Sequence, residues 1–439
     1  MVHFERTDMQ KVELLAPAKN FKVIKAALSY ADSFYFGVQT FNMRMQADNF
    51  TTEDLPKVTK FLHDAGQKAN LATNIVIYEN ELTDLKNLLI KAQEAEIDAV
   101  IVHDLASIQF AKEIDLPFHV STQCNVSNSM AAQFYETLGA QRIILARELS
   151  LAQIKEIKAK LSKSLIECFV HGAMCTSISG RCYFSQDICG TAEKSANRGE
   201  CIQPCRRQWW VYDETGKEYI YDGARFLNSR DLCMVSHIPE LIEAKIDCFK
   251  IEGRMRDPYY VETVSRTYRE AIEAHYNGSF SNNKVKLWIK DLKKVYNRGF
   301  TTGFYFGRPT EKDHQHKSPS NLSHFRMIQL GTIEKYSSDS HIAKILLTNG
   351  KLRVGEEIIV MGPKKSDTYF HQTLQSIVMA GKQIEITPPA FSNNPLTIDL
   401  EMRETTKLGD KLYIFTDETY RHRRLKRRTR KKSDYYRLT

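Results

Sequence analysis

The chain has 439 residues, 42% hydrophobic and 26% charged, and no apolar run approaches the roughly 18–20 residues that a membrane span requires. This is the composition of a soluble protein with no membrane span, and the length allows one large domain plus a smaller one. The formal net charge is +9, and the segment Arg421–Lys432, with nine Lys or Arg in twelve residues and no acid, carries all of it.

In chain order, the N-terminus M-V-H-F-E-R-T-D-M-Q has no apolar core and no cleavage-site pattern, so no secretory signal is expected and a reducing cytoplasm is the expected compartment. There, nine cysteines argue for metal binding or catalysis over a disulfide framework. Short β-favouring runs then alternate with amphipathic stretches. The predicted strands are Glu13–Ala16, Ser33–Phe36, Ala69–Thr73, Ala99–Val102, Pro117–Val120, Arg142–Leu145, Leu165–Val170 and Cys248–Ile251. Helix-like segments lie between most of them, such as Asn20–Ser29, Glu53–Ala65, Glu81–Ala95 and Leu151–Leu161, with apolar residues at three- and four-residue steps. Eight β/α alternations suggest a TIM-type (β/α)8 barrel over residues 1–307. No G-x-G-x-x-G follows the first strand, which weakens a dinucleotide-binding reading.

A cysteine-rich insertion is expected at about residues 172–224, closing with a hairpin over Trp209–Tyr221 that turns at D-E-T-G. Arg225–Asn228 is a ninth strand candidate, and an Arg-rich helix over Pro258–His275 should follow the last barrel strand. Residues 308–323 have linker composition. Residues 324–416 then read as short strands with N-G and G-D turns, a small all-β barrel. Residues 417–439 form a basic tail.

Cys175, Cys182, Cys201 and Cys205 follow a C-x6-C-x18-C-x3-C spacing. Thiolates are soft anionic ligands, so four in one Gly- and Arg-rich stretch suit a metal centre. The spacing is looser than a zinc knuckle. Three readings stay open: a [4Fe–4S] cluster, zinc, or unbound buried cysteines. Cys189 lies between the second and third candidates and could replace one of them. Cys124, Cys168, Cys233 and Cys248 adjoin apolar strands, where a buried inert thiol is the common case.

The C-terminal ends of barrel strands hold the active site in TIM barrels. The polar residues there are Asn74, His103 with Asp104, Ser121 with Gln123, Arg147 with Glu148, His171, and the set Lys250, Glu252 and Arg254. Strand-end polar residues also cap helices. Lys250, Glu252 and Arg254 alternate, so they point the same way. His171 precedes the cysteine loop, where it would stand between thiols and mouth. The peptidase signatures H-E-x-x-H, G-x-S-x-G and D-T-G are absent. The basic tail, with Arg423, Arg424, Lys426, Arg427, Arg428 and Arg430, suits contact with RNA phosphates or serves only as a solubilising segment.

These residues carry a family resemblance. E-L-L-A-P-A, F-Y-F-G, S-T-Q-C-N, H-G-A-M-C…S-G-R-C, A-N-R-G-E-C-I-Q-P-C-R, N-S-R-D-L-C and K-I-E-G-R-M-R resemble the collagenase-like peptidase family (family U, number thirty-two), over most of residues 12–305. The β-rich C-terminal part resembles the extra domain of its tRNA-hydroxylating branch. The resemblance implies oxygen-independent, prephenate-dependent hydroxylation of the tRNA wobble uridine to 5-hydroxyuridine. The implied [4Fe–4S] ligands are Cys175, Cys182, Cys201 and Cys205. The stretch between the second and third cysteines is longer than in some relatives. His171, Lys250 and Glu252 are then the expected catalytic residues. Arg254, Arg181, Arg198, Asn74 and Gln123 are expected to bind the base and the dicarboxylate donor. The alternatives are a collagenase-like peptidase and a non-enzymatic RNA-binding cluster protein.

Overall fold

The computed structural model describes residues 11–219, 225, 227–318, 320–364 and 366–417. The chain divides into two compact units, with the boundary between Leu322 and Ser323. The strands of the first unit are β1 (Glu13–Pro17), β2 (Ser33–Phe36), β3 (Lys68–Thr73), β4 (Ala99–Val102), β5 (Phe118–Val120), β6 (Arg142–Ile144), β7 (Leu165–Ala173), β8 (Val211–Tyr212), β9 (Glu218–Tyr219), β10 (Asp231–Cys233), β11 (Cys248–Ile251) and β12 (Phe300–Thr301). Strands β1 to β7 pair in parallel in sequence order, and β11 joins β7 to β1. This closes an eight-stranded parallel barrel, with all eight predicted strands in place.

Local chemistry sets the helices around it. The helix Leu55–His63 buries Leu55, Val58, Thr59 and Leu62, and Leu82–Glu94 buries Leu85, Leu88, Leu89 and Ala92. Both patterns make a single apolar stripe against the barrel. The predicted Arg-rich helix runs over Pro258–Tyr276, with the Asp257 side chain capping the Tyr260 amide.

The barrel interior is not wholly aliphatic. Arg142 pairs with Glu13 at 2.6 Å and with Glu167 at 3.0 Å, and Lys250 pairs with Glu167 at 2.6 Å. These groups are buried or nearly so, and each cation meets a carboxylate, as charges removed from water require.

Strand β7 runs three residues past its predicted end. Lys250 pairs with Phe169 and Ile251 with His171, so Val170 is an extra residue in β7. Beyond this bulge β7 pairs antiparallel with β10. The ninth strand thus falls at Asp231–Cys233. The described residues of Arg225–Asn228 lie outside any strand. The predicted hairpin is β8–β9, and Asp213 Oδ1 accepts from the amides of Thr215 and Lys217 across its turn. Residues 308–318, read above as linker, are bonded to the first unit: Arg230 N donates to Asp313 O and Gln315 N to Asn228 O.

The second unit contains β13 (Phe325–Ser337), β14 (Ile342–Leu347), β15 (Glu357–Met361), β16 (Tyr369–Thr373), β17 (Ile377–Met379), β18 (Lys382–Ile384), β19 (Leu396–Glu401) and β20 (Lys411–Asp417). They form one antiparallel sheet in the order β16-β15-β20-β13-β14-β19-β17-β18. The sheet folds round a core that includes Leu330, Ile345, Ile358, Phe370, Ile398 and Leu412. Its end strands share no ladder among the described residues, and bridges at Gly350–Ala390 and Arg353–Ile386 tie its rim. The predicted tail Arg421–Lys432, with Arg423, Arg424, Lys426, Arg427, Arg428 and Arg430, lies outside the described residues. No helix of the described residues is long and apolar enough to cross a membrane.

Candidate active site: a cationic barrel mouth beside four thiols

Parallel strands all deliver their C-terminal ends to one face of the barrel. There, a pocket of about 40 Å3 is lined by Tyr35, Asn74, Gln123, Arg147, Phe169, Lys250, Glu252 and Arg254, together with Arg44 from the loop after β2. Lys250, Glu252 and Arg254 therefore meet as expected, although β11 ends at Ile251 and the last two lie beyond it.

Glu252 is the one carboxylate of the pocket. Its Oε1 is 3.3 Å from Arg44 Nη2 and its Oε2 is 4.0 Å from Arg147 Nη2. Burial alone would raise its pKa, but Arg44, Arg147, Arg254 and Lys250 together outweigh burial and hold it below the usual carboxylate range. Glu252 is a fixed anion. Lys250 donates to Glu167 and sits 4.2 Å from the centroid of the Tyr35 ring. Arg254 is held by the side-chain oxygens of Asn42 and Asn49, and burial lowers its pKa to about 10.

Asn74 donates to Ser121 Oγ and accepts from Met43 N. Gln123 Oε1, Arg147 Nε and Arg254 Nε are buried with no hydrogen-bond partner. Buried polar atoms in native folds are nearly always paired, so three such atoms around one pocket mark where a polar guest would bind. Asp104, by contrast, caps the helix after β4 by accepting from Ala106 N.

Cys175, Cys182, Cys201 and Cys205 line a second cavity of about 200 Å3, which shares Arg44, Gln123, Arg147 and Glu252 with the first. All four are free thiols. Burial raises the pKa of Cys201 and Cys205, opposed by Arg44 at the former and Arg206 at the latter. No three His, Cys, Asp or Glu among the described residues are grouped closely enough to hold a single metal ion. The cysteine loop seats on the barrel through glycines. A Cβ at Gly180 would lie 2.4 Å from Gln123 O, and one at Gly199 would lie 2.2 Å from Asn42 O.

Other expected residues sit elsewhere. His171 is turned away from the mouth by the Val170 bulge. It packs against Tyr260, Tyr268 and Phe300, with Nδ1 3.3 Å from Tyr268 Oη, and burial lowers its pKa to about 4. Arg198 forms a two-pronged pair with Glu81 and lies over the Tyr78 ring. Arg181 is exposed and lines neither cavity, and Cys189 lines neither. Burial raises Cys124 to about 11 and Cys233 to about 12, and pushes Cys168 and Cys248 up further. These are inert thiols, as expected.

Arg44 and Arg256 were not singled out from the sequence. Arg44 comes from a loop with no strand pattern around it. Arg256 continues the K-I-E-G-R-M-R run by one more alternating step and could have been read from it; its guanidinium carbon lies 3.4 Å from the Tyr296 ring centroid.

The first unit is thus a closed parallel barrel with a cavity lined by four cysteines beside the pocket at its C-terminal face. The chain belongs to Peptidase family U32, whose family model matches residues 19–315. Similar proteins include an uncharacterized protease of Methanocaldococcus jannaschii, 40% identical over 93% of this chain and 99% of the relative. A collagenase of Porphyromonas gingivalis is 36% identical over 92% and 97%. The tRNA hydroxylation protein P1 of Bacillus subtilis is 32% identical over 86% and 89%.

Proposed function

We propose that this protein hydroxylates the wobble uridine of tRNA without dioxygen, with a [4Fe–4S] cluster on Cys175, Cys182, Cys201 and Cys205 and prephenate as hydroxyl source. The observation that carries the reading is the joining of a four-thiol cavity to a pocket in which Arg44, Arg147, Arg254 and Lys250 surround one carboxylate. The family relative named for tRNA hydroxylation supports it.

The residues fit the cluster. The donors are four free thiols spread round a cavity of about 200 Å3, whereas zinc draws four sulfurs to about 2.3 Å from one point. Arg44 and Arg206 lie among the thiols and offset their charge. When bound, the cluster supplies one-electron redox chemistry at a potential that the surrounding charge tunes.

The chain's own residues bind and orient. Arg147 and Arg254, each with an unpaired buried Nε, take the carboxylates of the donor. Gln123 Oε1 accepts from N3–H of an extruded uracil, since a base inside a stack is out of reach. Glu252 stays ionised and keeps Arg44 and Arg147 aimed across the mouth. Lys250 contributes fixed positive charge from the floor. Replacing C5–H by C5–OH with oxygen at the hydroxide level releases two electrons, so turnover needs an acceptor outside this chain.

The test is mass spectrometry of tRNA nucleosides from a deletion strain, complemented with wild type and with each Cys→Ala variant. The expected result is loss of 5-hydroxyuridine, restored by wild type only. The anaerobically purified protein should hold about four irons and four sulfides per chain. Stoichiometric zinc without sulfide, or 5-hydroxyuridine persisting in the deletion strain, refutes the reading. The relative named collagenase keeps a peptidase reading in view. Proteolysis that survives removal of iron would favour it, and a chain that binds RNA and cluster but modifies no nucleoside would be a binding protein.

A further inference from the structure

The cysteine loop carries aromatic side chains that the barrel mouth does not use. Phe184 and Trp209 pack ring on ring, with centroids 5.4 Å apart, and Trp209 Nε1 donates to Pro204 O at 2.9 Å. Phe184 and Pro204 also line the thiol cavity, so this pair forms part of its wall. Both residues of the pair adjoin an aromatic residue that is turned to solvent. Tyr183 is 69% exposed and Trp210 is 62% exposed. Tyr212, two residues on and in β8, is 59% exposed. Large aromatics are normally drawn out of water, and Tyr183 and Trp210, each next in the chain to a member of the packed Phe184–Trp209 pair, are unlike isolated exposed side chains. Arg181 and Arg207, also exposed, lie two and three residues from Tyr183 and Trp210, while the exposed Glu218 pairs with Tyr212 across the β8–β9 ladder.

We propose that Tyr183, Trp210 and Tyr212 form a stacking surface for unpaired bases of an RNA loop, with Arg181 and Arg207 taking phosphates. The proposal rests on the RNA-hydroxylase reading and adds a binding surface to it. Every base has a flat face, so aromatic residues hold single strands with little regard to sequence. A paired duplex hides those faces and offers only phosphates. The surface would then hold the neighbours of a base that has entered the barrel mouth, and would select loops over stems. Exposed rings with Arg181 and Arg207 close by in the chain suit the flat bases and phosphates of RNA.

The test uses the full chain under anaerobic conditions and two probes, an RNA hairpin with an open loop and a fully paired duplex of equal phosphate number. The basic tail acts on both, so the hairpin-over-duplex ratio isolates stacking. The chain has three tryptophans, and Trp288 is buried, so quenching by the hairpin should come mainly from Trp210 and disappear in Trp210→Phe. A combined Tyr183→Ala, Trp210→Ala and Tyr212→Ala variant should bind the hairpin at least about fivefold more weakly, the low end for removal of one stack. Its duplex affinity should hold, and its circular dichroism should match wild type. Trp210→Phe and Tyr183→Phe, which keep the rings, should retain hairpin affinity. An unchanged hairpin affinity in the triple variant, or an equal loss on both probes, overturns the proposal and leaves the patch to a protein partner. That failure is separate from failure of the hydroxylase reading, which is decided by nucleosides in the deletion strain.

Discussion

The seating of the cysteine loop can be tested with three glycines that share a backbone conformation but differ in surroundings. Gly180, Gly190 and Gly199 have φ of 76°, 63° and 84°. Alanine at any of them adopts a left-handed conformation, at a cost of about 1–2 kcal/mol. At Gly190 nothing lies within 4 Å of the new Cβ, so the cost ends there. At Gly180 the Cβ meets Gln123 O at 2.4 Å, and at Gly199 it meets Asn42 O at 2.2 Å. Both oxygens belong to residues that are pinned: Gln123 lies in a helical turn after β5, and the Asn42 side-chain Nδ2 donates to Val38 O. The loop must therefore give way, by about 1 Å to regain ordinary van der Waals separation, and it carries Cys182 and Cys201 with it. Misplacement on that scale costs on the order of a hundredfold in rate. Gly190→Ala should lower Tm by a few degrees and keep iron content and 5-hydroxyuridine formation. Gly180→Ala and Gly199→Ala should lower Tm further and lose most of both. Equal behaviour of all three variants in iron content and product would refute the seating.

His171 provides a pH test. It titrates near 6.5 in the unfolded chain and at about 4 when folded, so the unfolded state binds the extra proton between these values. Stability should fall as pH drops from about 6.5 to 4, by about 3 kcal/mol from this residue; urea unfolding of His171→Phe should show a flatter acid limb, and an unchanged slope would oppose a buried neutral imidazole. His171→Phe should also keep hydroxylation activity, because His171 does not line the mouth. Arg147→Lys and Arg254→Lys should each raise the apparent KM for prephenate at least tenfold with iron retained, while Arg181→Lys should leave that KM alone; steady-state kinetics with prephenate varied decide it. Truncation after Asp417 should weaken tRNA binding and lower the log–log salt slope by about 0.7–0.9 for each phosphate that the tail had neutralised, and filter binding across a salt series measures both.

The barrel was legible because its strands are short apolar β-favouring runs bounded by polar punctuation, a local signal. That the four cysteines would gather round one cavity was legible for the same reason, because they fall within 31 residues. The errors came from longer-range facts. His171 is expected at the mouth because it precedes the cysteine loop, but the bulge at Val170 shifts the alternation of β7 by one residue, and nothing local in the sequence marks that bulge. Arg198 has its partner at Glu81, 117 positions away in the chain, so nothing local marks it as occupied. Arg44 reaches the mouth only because the loop after β2 folds over it. The second unit read correctly as all-β, but how its strands pair and whether their ladders close is a matter of pairing between distant segments.

Register sorts the buried charges of the barrel by depth. Glu13 lies level with Cys248, and Lys250 stands two residues nearer the mouth, level with Leu15. Glu167 is also level with Cys248, so going up the axis the chain sets Glu13 and Glu167, both paired with Arg142, then Lys250, and then the arginines of the mouth. The carboxylates balancing this column are therefore mostly behind it, on the side away from an arriving guest. An anion entering the mouth meets a field already built and locked by ion pairs, so few dipoles have to turn when it binds. The dependence of binding on charge should accordingly extend to residues that no guest touches, Glu13 at the opposite end of the barrel among them.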